Sequence, residues 1–333
     1  MESNFKFLEE KWPLLSTLGS TAERYLFSDS NSCLMKLGLF GEAVVNLIFV
    51  LDNISETKPQ EENTHANRIK LLKSEGLLPK DIDDILYSLR IARNKAVHVG
   101  YESTEQATVL LEFTYKLSVW FMQTYGDWEF EPVEFVMPED HSIDIDYEAI
   151  IKAQEEKIKE LTDKIKDTSP IGLEVSIDDR RKRAKTSADK INLTEKETRY
   201  LIDEQLRKVG WEADSINHRY SKGTRPEKNR NLAIAEWPTD STVGDRGYAD
   251  YVLFVGTQLV GIVEAKRHFT DIPSVIDYQC KDYAKKIKAE HSQYIINRWG
   301  DYQVPFLYAT NGRKYLKQLD SIGICILAFG LSR

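Results

Sequence analysis

The chain has 333 residues and a formal net charge of −8 at pH 7. Its length predicts about two domains, and a composition of 41% hydrophobic and 29% charged residues excludes a largely disordered chain. The sequence has no uninterrupted apolar run of about 18 residues, and it begins without the pattern of a secretory signal. Its three cysteines are widely spaced and predict neither disulfides nor a zinc site. We therefore expect a cytoplasmic protein that does not span a membrane.

The charges are unevenly distributed along the chain. Residues 1–147 contain 13 Lys and Arg residues against 25 Asp and Glu residues, whereas residues 148–333 contain 32 against 28. The first part is strongly acidic and the second is weakly basic. Because a surface that binds nucleic acid has to be locally basic, only the second part is expected to contact a polyanion.

An α-helical domain is predicted over residues 1–125. Apolar residues recur at spacings of three and four over residues 33–51 and again over residues 81–97. A serine or threonine able to cap a helix precedes a third long segment, residues 105–125. These patterns are typical of amphipathic helices that pack against one another.

A linker is predicted over residues 126–190. Its acidic first part, residues 126–147, contains prolines and is expected to be a loop. Residues 148–167 predict a charged helix with a narrow apolar stripe, which favours a spacer over a coiled coil because the heptads are few. Residues 168–190 form a basic segment, which we interpret as a solvated tether, with an arm that contacts DNA as the alternative.

A second domain is expected over residues 191–333. A capping box of the form Thr-x-x-Glu at Thr194 opens a helix that ends at Gly210. Patterns for further elements follow in the order strand, strand, strand, helix, strand, at residues 231–237, 248–255, 258–266, 274–290 and 304–309. The order α-β-β-β-α-β predicts an α/β domain with a mixed central sheet, in which residues 256–257 form a hairpin turn.

Charged residues interrupt two of these strands. Asp250 lies within Tyr-Ala-Asp-Tyr-Val-Leu, and Glu264 and Lys266 end the next strand in Val-Glu-Ala-Lys. The two-residue period of a strand puts Glu264 and Lys266 on the same face. Because Mg²⁺ prefers carboxylate oxygens and retained waters, this pattern indicates a cation site with a lysine that orients water or stabilises a phosphate. The alternative is that these are ordinary charges at strand ends.

This pattern resembles the PD-(D/E)XK nuclease superfamily, whose core has the same α-β-β-β-α-β order. Ala249 stands where that motif usually has proline. Several blocks occur in an order similar to the nuclease domain of type I restriction enzyme R subunits. They are Leu-Thr-Glu-Lys-Glu-Thr-Arg, Ala-Glu-Trp-Pro-Thr, Tyr-Ala-Asp-Tyr-Val-Leu, Val-Glu-Ala-Lys and Ala-Thr-Asn-Gly-Arg. The resemblance implies a restriction-endonuclease-like α/β domain behind the α-helical domain.

The resemblance also implies roles for the matching residues. Asp250 and Glu264 would be the ligands of Mg²⁺, and Lys266 would be the catalytic lysine. Glu197 matches the acidic residue of the first helix in such nucleases, although it is equally the acid of the capping box.

Three further residues follow the central motif. Gln279 and Tyr283 match a Gln-x-x-x-Tyr element, and their spacing puts both on one helix face, where they would contact DNA or position the lysine. Arg267 is a candidate phosphate contact, with a solvated strand end as the alternative.

The acidic domain contains a motif of its own. Arg93 and His98 resemble the Arg-x4-His motif of HEPN helical domains, a group of ribonucleases and non-catalytic modules. In a ribonuclease of this kind, His98 would be the acid or base and Arg93 would stabilise the phosphate. The acidic surroundings favour a structural or interaction module instead.

These resemblances imply Mg²⁺-dependent hydrolysis of double-stranded DNA, together with the modification and specificity subunits of a type I restriction system. The 333 residues contain no Gly-x4-Gly-Lys-[Ser/Thr] loop, so ATP would be used only by a complete R subunit with a motor. Residues 319–333 depart from the expected continuation, and we hypothesise a truncated or frame-shifted end. The alternatives are a non-catalytic binding module with a degenerate nuclease fold and a HEPN-type ribonuclease.

Overall fold

A computed structural model describes residues 2–55, 64–100, 102–140, 156, 160, 175–242, 247–266, 275–310 and 327–328. The chain divides into two compact units, Met1–Ile191 and Asn192–Arg333. In the described residues the first unit is helical, and the second combines helices with a sheet. The predicted combination of a helical domain with an α/β domain is confirmed.

The described part of the first unit is built from helices of ten to 22 residues. They are α1 (Pro13–Ser28), α2 (Ser30–Leu51), α3 (His65–Ser74), α4 (Lys80–Val99), α5 (Thr104–Phe121) and α6 (Ile177–Asp189). The two helices predicted from the apolar spacing correspond to α2 and α4, and the one predicted from its capping residue corresponds to α5. Helix α2 begins three residues earlier than predicted because the Asp29 carboxylate caps it by accepting from the Ser32 amide at 2.9 Å.

Helix α2 forms the core of the first unit. It packs against α1, α4 and α5, and its buried side chains include Leu34, Phe40, Val44 and Ile48. By length and composition alone it is apolar enough to cross a membrane. More than half of its most apolar stretch is nevertheless buried inside the unit, which is typical of the central helix of a bundle.

Much of the segment that we predicted to be a basic tether is helix α6. Arg180 is buried on this helix: its Nε lies 3.1 Å from Oδ1 of Asp52, and its guanidinium lies 4.3 Å from the centre of the Tyr125 ring. One helical turn further on, the carbonyl oxygen of Ala184 accepts from Trp120 Nε1 at 2.9 Å. The interpretation of this segment as a solvated tether is therefore wrong for residues 177–189, because two residues on one face of α6 have partners in the core.

The other parts of the predicted linker are only partly described. Residues 126–140 contain no helix or strand after the π-helical turn Met122–Gly126. Within them the amide of Val136 donates to Asn4 Oδ1 at 2.8 Å. The predicted spacer helix at residues 148–167 lies outside the described residues except for two positions.

The second unit consists of one mixed sheet and its helices. Its elements are α7 (Glu195–Lys208), β1 (Glu212–Ala213), β2 (Asn231–Pro238), β3 (Tyr248–Val255), β4 (Gln258–Ala265), α8 (Lys281–Lys285), β5 (Phe306–Thr310) and β6 (Leu327–Ala328). The strands lie in chain order across the sheet. Strand β3 is antiparallel to both of its neighbours, β2 and β4, and β4 is parallel to β5. Strands β1 and β6 were not predicted, because two residues are too short to show a period.

Two predictions concern the segments on either side of β4: a hairpin turn before it and a helix after it. Gly256 has a φ of +59° in the tight turn between β3 and β4, so the predicted hairpin is confirmed. The helix predicted over residues 274–290 is present but shorter: the described residues are helical over 275–285, with π-helical geometry at Ile276–Cys280 before the short α8. After the helix ends at Lys285, the carbonyl of Lys286 accepts from the Asp240 amide at 2.8 Å.

The sheet buries apolar side chains on both faces. One face packs against the segment around α8, and its core includes Trp237, Phe254 and Ile262. The other face includes Tyr251 and Ile202 of α7. Because both faces of the central strands are covered, any charged group on them must find a partner inside the protein.

We predict that Arg180→Met destabilises the helical unit by about 3 kcal/mol, because it leaves the Asp52 carboxylate buried without its cation. Urea unfolding followed by circular dichroism measures the change. Lys182→Met is the matched control on the same helix: Lys182 is 79% exposed, and we expect a change within about 0.5 kcal/mol. Equal unfolding midpoints for the two variants would show that the buried pair does not stabilise the unit.

Candidate active site

The two carboxylates of the central motif lie where β3 and β4 separate. The backbone pairing of these strands extends as far as Tyr251 and Val263. Beyond this pair, side chains replace the backbone ladder: Asp250 Oδ2 accepts from the Ala265 amide at 2.8 Å, and Glu264 Oε2 accepts from the Asp250 amide at 3.4 Å. Each carboxylate is therefore held by the backbone of the neighbouring strand.

These two carboxylates are close together and shielded from water. Asp250 is 9% exposed and Glu264 is 3% exposed. Burial and the neighbouring Asp250 carboxylate raise the pKa of Glu264 to about 7, although the Lys266 ammonium opposes the shift. The two carboxylates repel each other in a buried position, and a cation in contact with them relieves this repulsion.

Lys266 approaches the carboxylates from the end of β4. Its Nζ donates to Glu264 Oε1 at 2.7 Å, and its side chain is 24% exposed. Its backbone amide donates to the carbonyl of Thr310 on β5 at 2.8 Å. The structure thus brings Asp250, Glu264 and Lys266 together, with the lysine on the side that faces solvent.

Glu197 is fully buried at the start of α7. Its Oε2 accepts from the amide of Thr194 at 2.7 Å, and its own amide donates to the Thr194 hydroxyl at 3.3 Å. This is the complete capping box predicted from the sequence. One carboxylate oxygen of Glu197 therefore stabilises the helix start.

The residues predicted after the central motif have different positions. Tyr283 on α8 is buried, and its pKa is raised by burial and by the carboxylates of Glu264 and Asp250. Gln279 is half-buried in the π-helical turn before α8. Arg267 lies outside the described residues.

Two residues at or next to the site, Arg199 and Glu236, were not predicted from the sequence. Arg199 of α7 forms an ion pair with Asp250 Oδ1, and its Nη1 lies 3.2 Å from Oε1 of Glu236 on β2. Glu236 also pairs with Arg219 at 2.9 Å. The signal for Glu236 was available, since it interrupts the apolar strand Leu-Ala-Ile-Ala-Glu-Trp in the same way that Asp250 interrupts β3.

The two residues of the HEPN-like motif in the helical unit, Arg93 and His98, lie in different surroundings. Arg93 packs so closely on α2 that a Cβ at Gly38 would lie 2.4 Å from Arg93 Cβ, and its guanidinium pairs with Glu42. His98 is exposed near the end of α4. The Arg93 guanidinium is thus already neutralised by a carboxylate of its own unit.

The donor set at β3 and β4 suits a hard cation. Asp250 and Glu264 provide carboxylate oxygens, and Mg²⁺ is commonly bound by one or two carboxylates with waters completing its shell. A group of three or more Asp, Glu, His or Cys residues able to hold a metal does not occur in the described part of the chain. The residues therefore fit a two-carboxylate Mg²⁺ site and do not fit a closed cage made of protein ligands.

Comparisons with known proteins agree with the sequence blocks. Residues 212–325 match the family described as "Type I restriction enzyme EcoKI endonuclease subunit second domain", and residues 20–164 match "Domain of unknown function (DUF4145)". The Type I restriction enzyme EcoKI endonuclease subunit of Escherichia coli (strain K12) is 30% identical over an alignment of 389 positions. No solved structure gives a significant match.

This alignment covers 94% of the chain and 33% of the Escherichia coli protein, so the chain spans about one third of the length of that relative. The segment that matches the restriction-enzyme family contains all three residues of the central motif, Asp250, Glu264 and Lys266. The resemblance to a type I R subunit that the sequence blocks indicated is confirmed. The chain is thus similar to a type I restriction enzyme endonuclease subunit over about one third of that relative's length.

Proposed function

We propose that the α/β unit is a PD-(D/E)XK nuclease domain that hydrolyses DNA phosphodiester bonds with Mg²⁺. The observation that carries the proposal is the junction of β3 and β4, where Asp250 and Glu264 bind each other's strands and Lys266 contacts Glu264. An ordinary pair of strand-end charges would point to solvent. Here both carboxylates are buried, which costs stability and is typical of functional sites.

The chain's own groups have separate roles in this proposal. Asp250 and Glu264 would hold Mg²⁺, which when bound lowers the pKa of a coordinated water and neutralises charge on the phosphate. Lys266, partly exposed beside them, donates hydrogen bonds to the attacking water or to the phosphate oxygens. Tyr283 is buried on α8, and its proposed role is to position the lysine or to contact DNA. Gln279 and Arg267 are proposed as DNA contacts on the solvent side.

The relative suggests the context in which the domain acts. A protein named as an endonuclease subunit implies partners, and we propose that these are the modification and specificity subunits, with double-stranded DNA as substrate in the cytoplasm. Recognition of the DNA sequence would then lie in another subunit. We propose a structural or interaction role for the helical unit, because Arg93 is already paired with Glu42.

We predict that Asp250→Ala weakens the binding of Mg²⁺ to the full chain at least about tenfold, because it removes one of two carboxylate ligands. Isothermal titration calorimetry measures the dissociation constant, and DNA nicking is expected to be lost in Asp250→Ala, Glu264→Ala and Lys266→Ala. Glu212→Gln is a control in the same sheet, since Glu212 is an exposed carboxylate paired with Arg230. A chain that binds no Mg²⁺, or binds it equally well in Asp250→Ala, would favour a degenerate nuclease fold with a binding role.

We predict that the affinity for Mg²⁺ falls about tenfold when the pH is lowered from 8 to 6. Burial and Asp250 raise the pKa of Glu264 to about 7, so below pH 7 this carboxyl is protonated and must release its proton before it binds a cation. Calorimetry in buffers of different ionisation enthalpy detects the released proton. The dependence should disappear in Glu264→Gln, and an affinity of the unmutated chain that stays constant from pH 6 to 8 would contradict the assignment of Glu264 as a ligand.

A further inference from the structure

Arg199 places a cation on one of the carboxylates that we propose for Mg²⁺. Its Nη2 pairs with Asp250 Oδ1, whereas Oδ2 of the same carboxylate is occupied by the amide of Ala265. The side chains of Arg199 and Asp250 are 12% and 11% exposed. In such shielded surroundings the attraction between the two charges is only weakly screened by solvent.

Two other carboxylates hold the same guanidinium from further away. Oε1 of Glu195 lies 3.1 Å from Arg199 Nη2, and Oε1 of Glu236 lies 3.2 Å from Nη1. Both carboxylates are more exposed than Asp250, at 45% and 28% of their side chains. A small movement of Arg199 away from Asp250 therefore leaves its charge with two partners.

The backbone of β2 positions Glu236 for this contact. Its φ is +53°, a left-handed conformation that residues other than glycine rarely adopt. It lies between the pairs Ala235–Tyr251 and Trp237–Ala249, and is therefore opposite Asp250 on the neighbouring strand. Strained backbone of this kind persists where the surroundings hold it and is frequent beside functional sites. Here it brings Glu236 to both Arg199 and Arg219.

The charges of the site conflict with a simple addition of Mg²⁺. Asp250 is paired with Arg199, and Glu264 is paired with Lys266. A divalent cation bound to both carboxylates would add two positive charges next to the Arg199 guanidinium and the Lys266 ammonium. Because like charges at contact distance repel strongly in a shielded site, the cation and Arg199 compete for Asp250.

We infer that Arg199 is a positioning residue that occupies the cation position at Asp250 in the metal-free protein and moves onto Glu195 and Glu236 when a divalent cation binds. The inference rests on the proposed function, because it assumes that Asp250 is a ligand. It makes Arg199 a competitor of the metal, which keeps the metal-free site folded and holds the affinity of the free protein for Mg²⁺ low.

The test is a titration of the full chain with Mg²⁺, followed by calorimetry. Arg199→Met removes the competing charge and should tighten binding about tenfold, while lowering the thermal stability of the metal-free protein. Arg207→Met is the matched control on α7: Arg207 is 23% exposed and pairs with Glu204. This control should lose stability with an affinity for Mg²⁺ unchanged within about twofold. Arg199→Lys keeps the charge and should remain close to the unmutated affinity.

A double-mutant cycle tests the role of Glu236. Glu236→Gln removes a partner of the displaced Arg199 and should weaken binding of Mg²⁺ in the unmutated background. In the Arg199→Met background the same change should have a smaller effect, because no guanidinium needs the carboxylate. Equal effects in both backgrounds would mean that Glu236 acts on the metal directly and would overturn its assigned role.

The outcomes separate this inference from the proposed function. If Asp250→Ala abolishes binding but Arg199→Met leaves it unchanged or weaker, Arg199 is not a competitor and the inference fails alone. If Arg199→Met does not fold, as judged by circular dichroism, the Arg199→Lys variant decides. In that background Glu236→Gln should weaken binding of Mg²⁺ as it does in the unmutated chain. An affinity of Arg199→Lys for Mg²⁺ that is tenfold weaker than that of the unmutated chain overturns the inference. If neither the unmutated chain nor any Arg199 variant binds Mg²⁺, the proposed function fails and this inference with it.

Discussion

The second unit depends on how β3 and β4 end. Up to Tyr251 and Val263 the strands pair through their backbones, and beyond this pair the carboxylates of Asp250 and Glu264 accept the amides that the ladder leaves open. Buried amides need acceptors, so the carboxylates contribute to the sheet as well as to the site. The same hydrogen bonds fix the two side chains next to each other. Structure and proposed chemistry therefore share one set of atoms.

The surrounding elements serve this junction. Helix α7 is started by the capping box of Thr194 and Glu197, and one turn later it delivers Arg199 to Asp250. Strand β5 receives the amide of Lys266 and so fixes the backbone from which the lysine reaches Glu264. Asp250 is thereby paired with a cation from another element, whereas Glu264 is paired with the lysine that follows its own strand. The two carboxylates of this arrangement provide oxygen ligands of the kind that Mg²⁺ prefers.

The helical unit is held together by an apolar central helix and a buried ion pair. Its core is the apolar helix α2, and the pair of Asp52 and Arg180 attaches a basic helix to that core. A basic segment next to an acidic domain could be read from composition as a tether, since Lys and Arg are usually solvated. Arg180 is buried because Asp52 and Tyr125 satisfy its guanidinium. Sequence periodicity does not show such a partner, which lies 128 positions away in the chain.

The sequence by itself determined the long helices of the first unit, the main strands of the second and the charged residues that interrupt those strands. The long helices, the hairpin at Gly256 and the capping box at Thr194 follow from local periods and local hydrogen bonds, and these depend on residues near in the chain. Charged residues inside strands that should be buried marked Asp250 and Glu264. The tertiary structure alone decided which partners these charges have. The contact of Arg199 with Asp250, the left-handed Glu236 opposite it and the burial of Arg180 all join residues distant in sequence. Such contacts depend on how the elements pack, and no local pattern in the sequence specifies them.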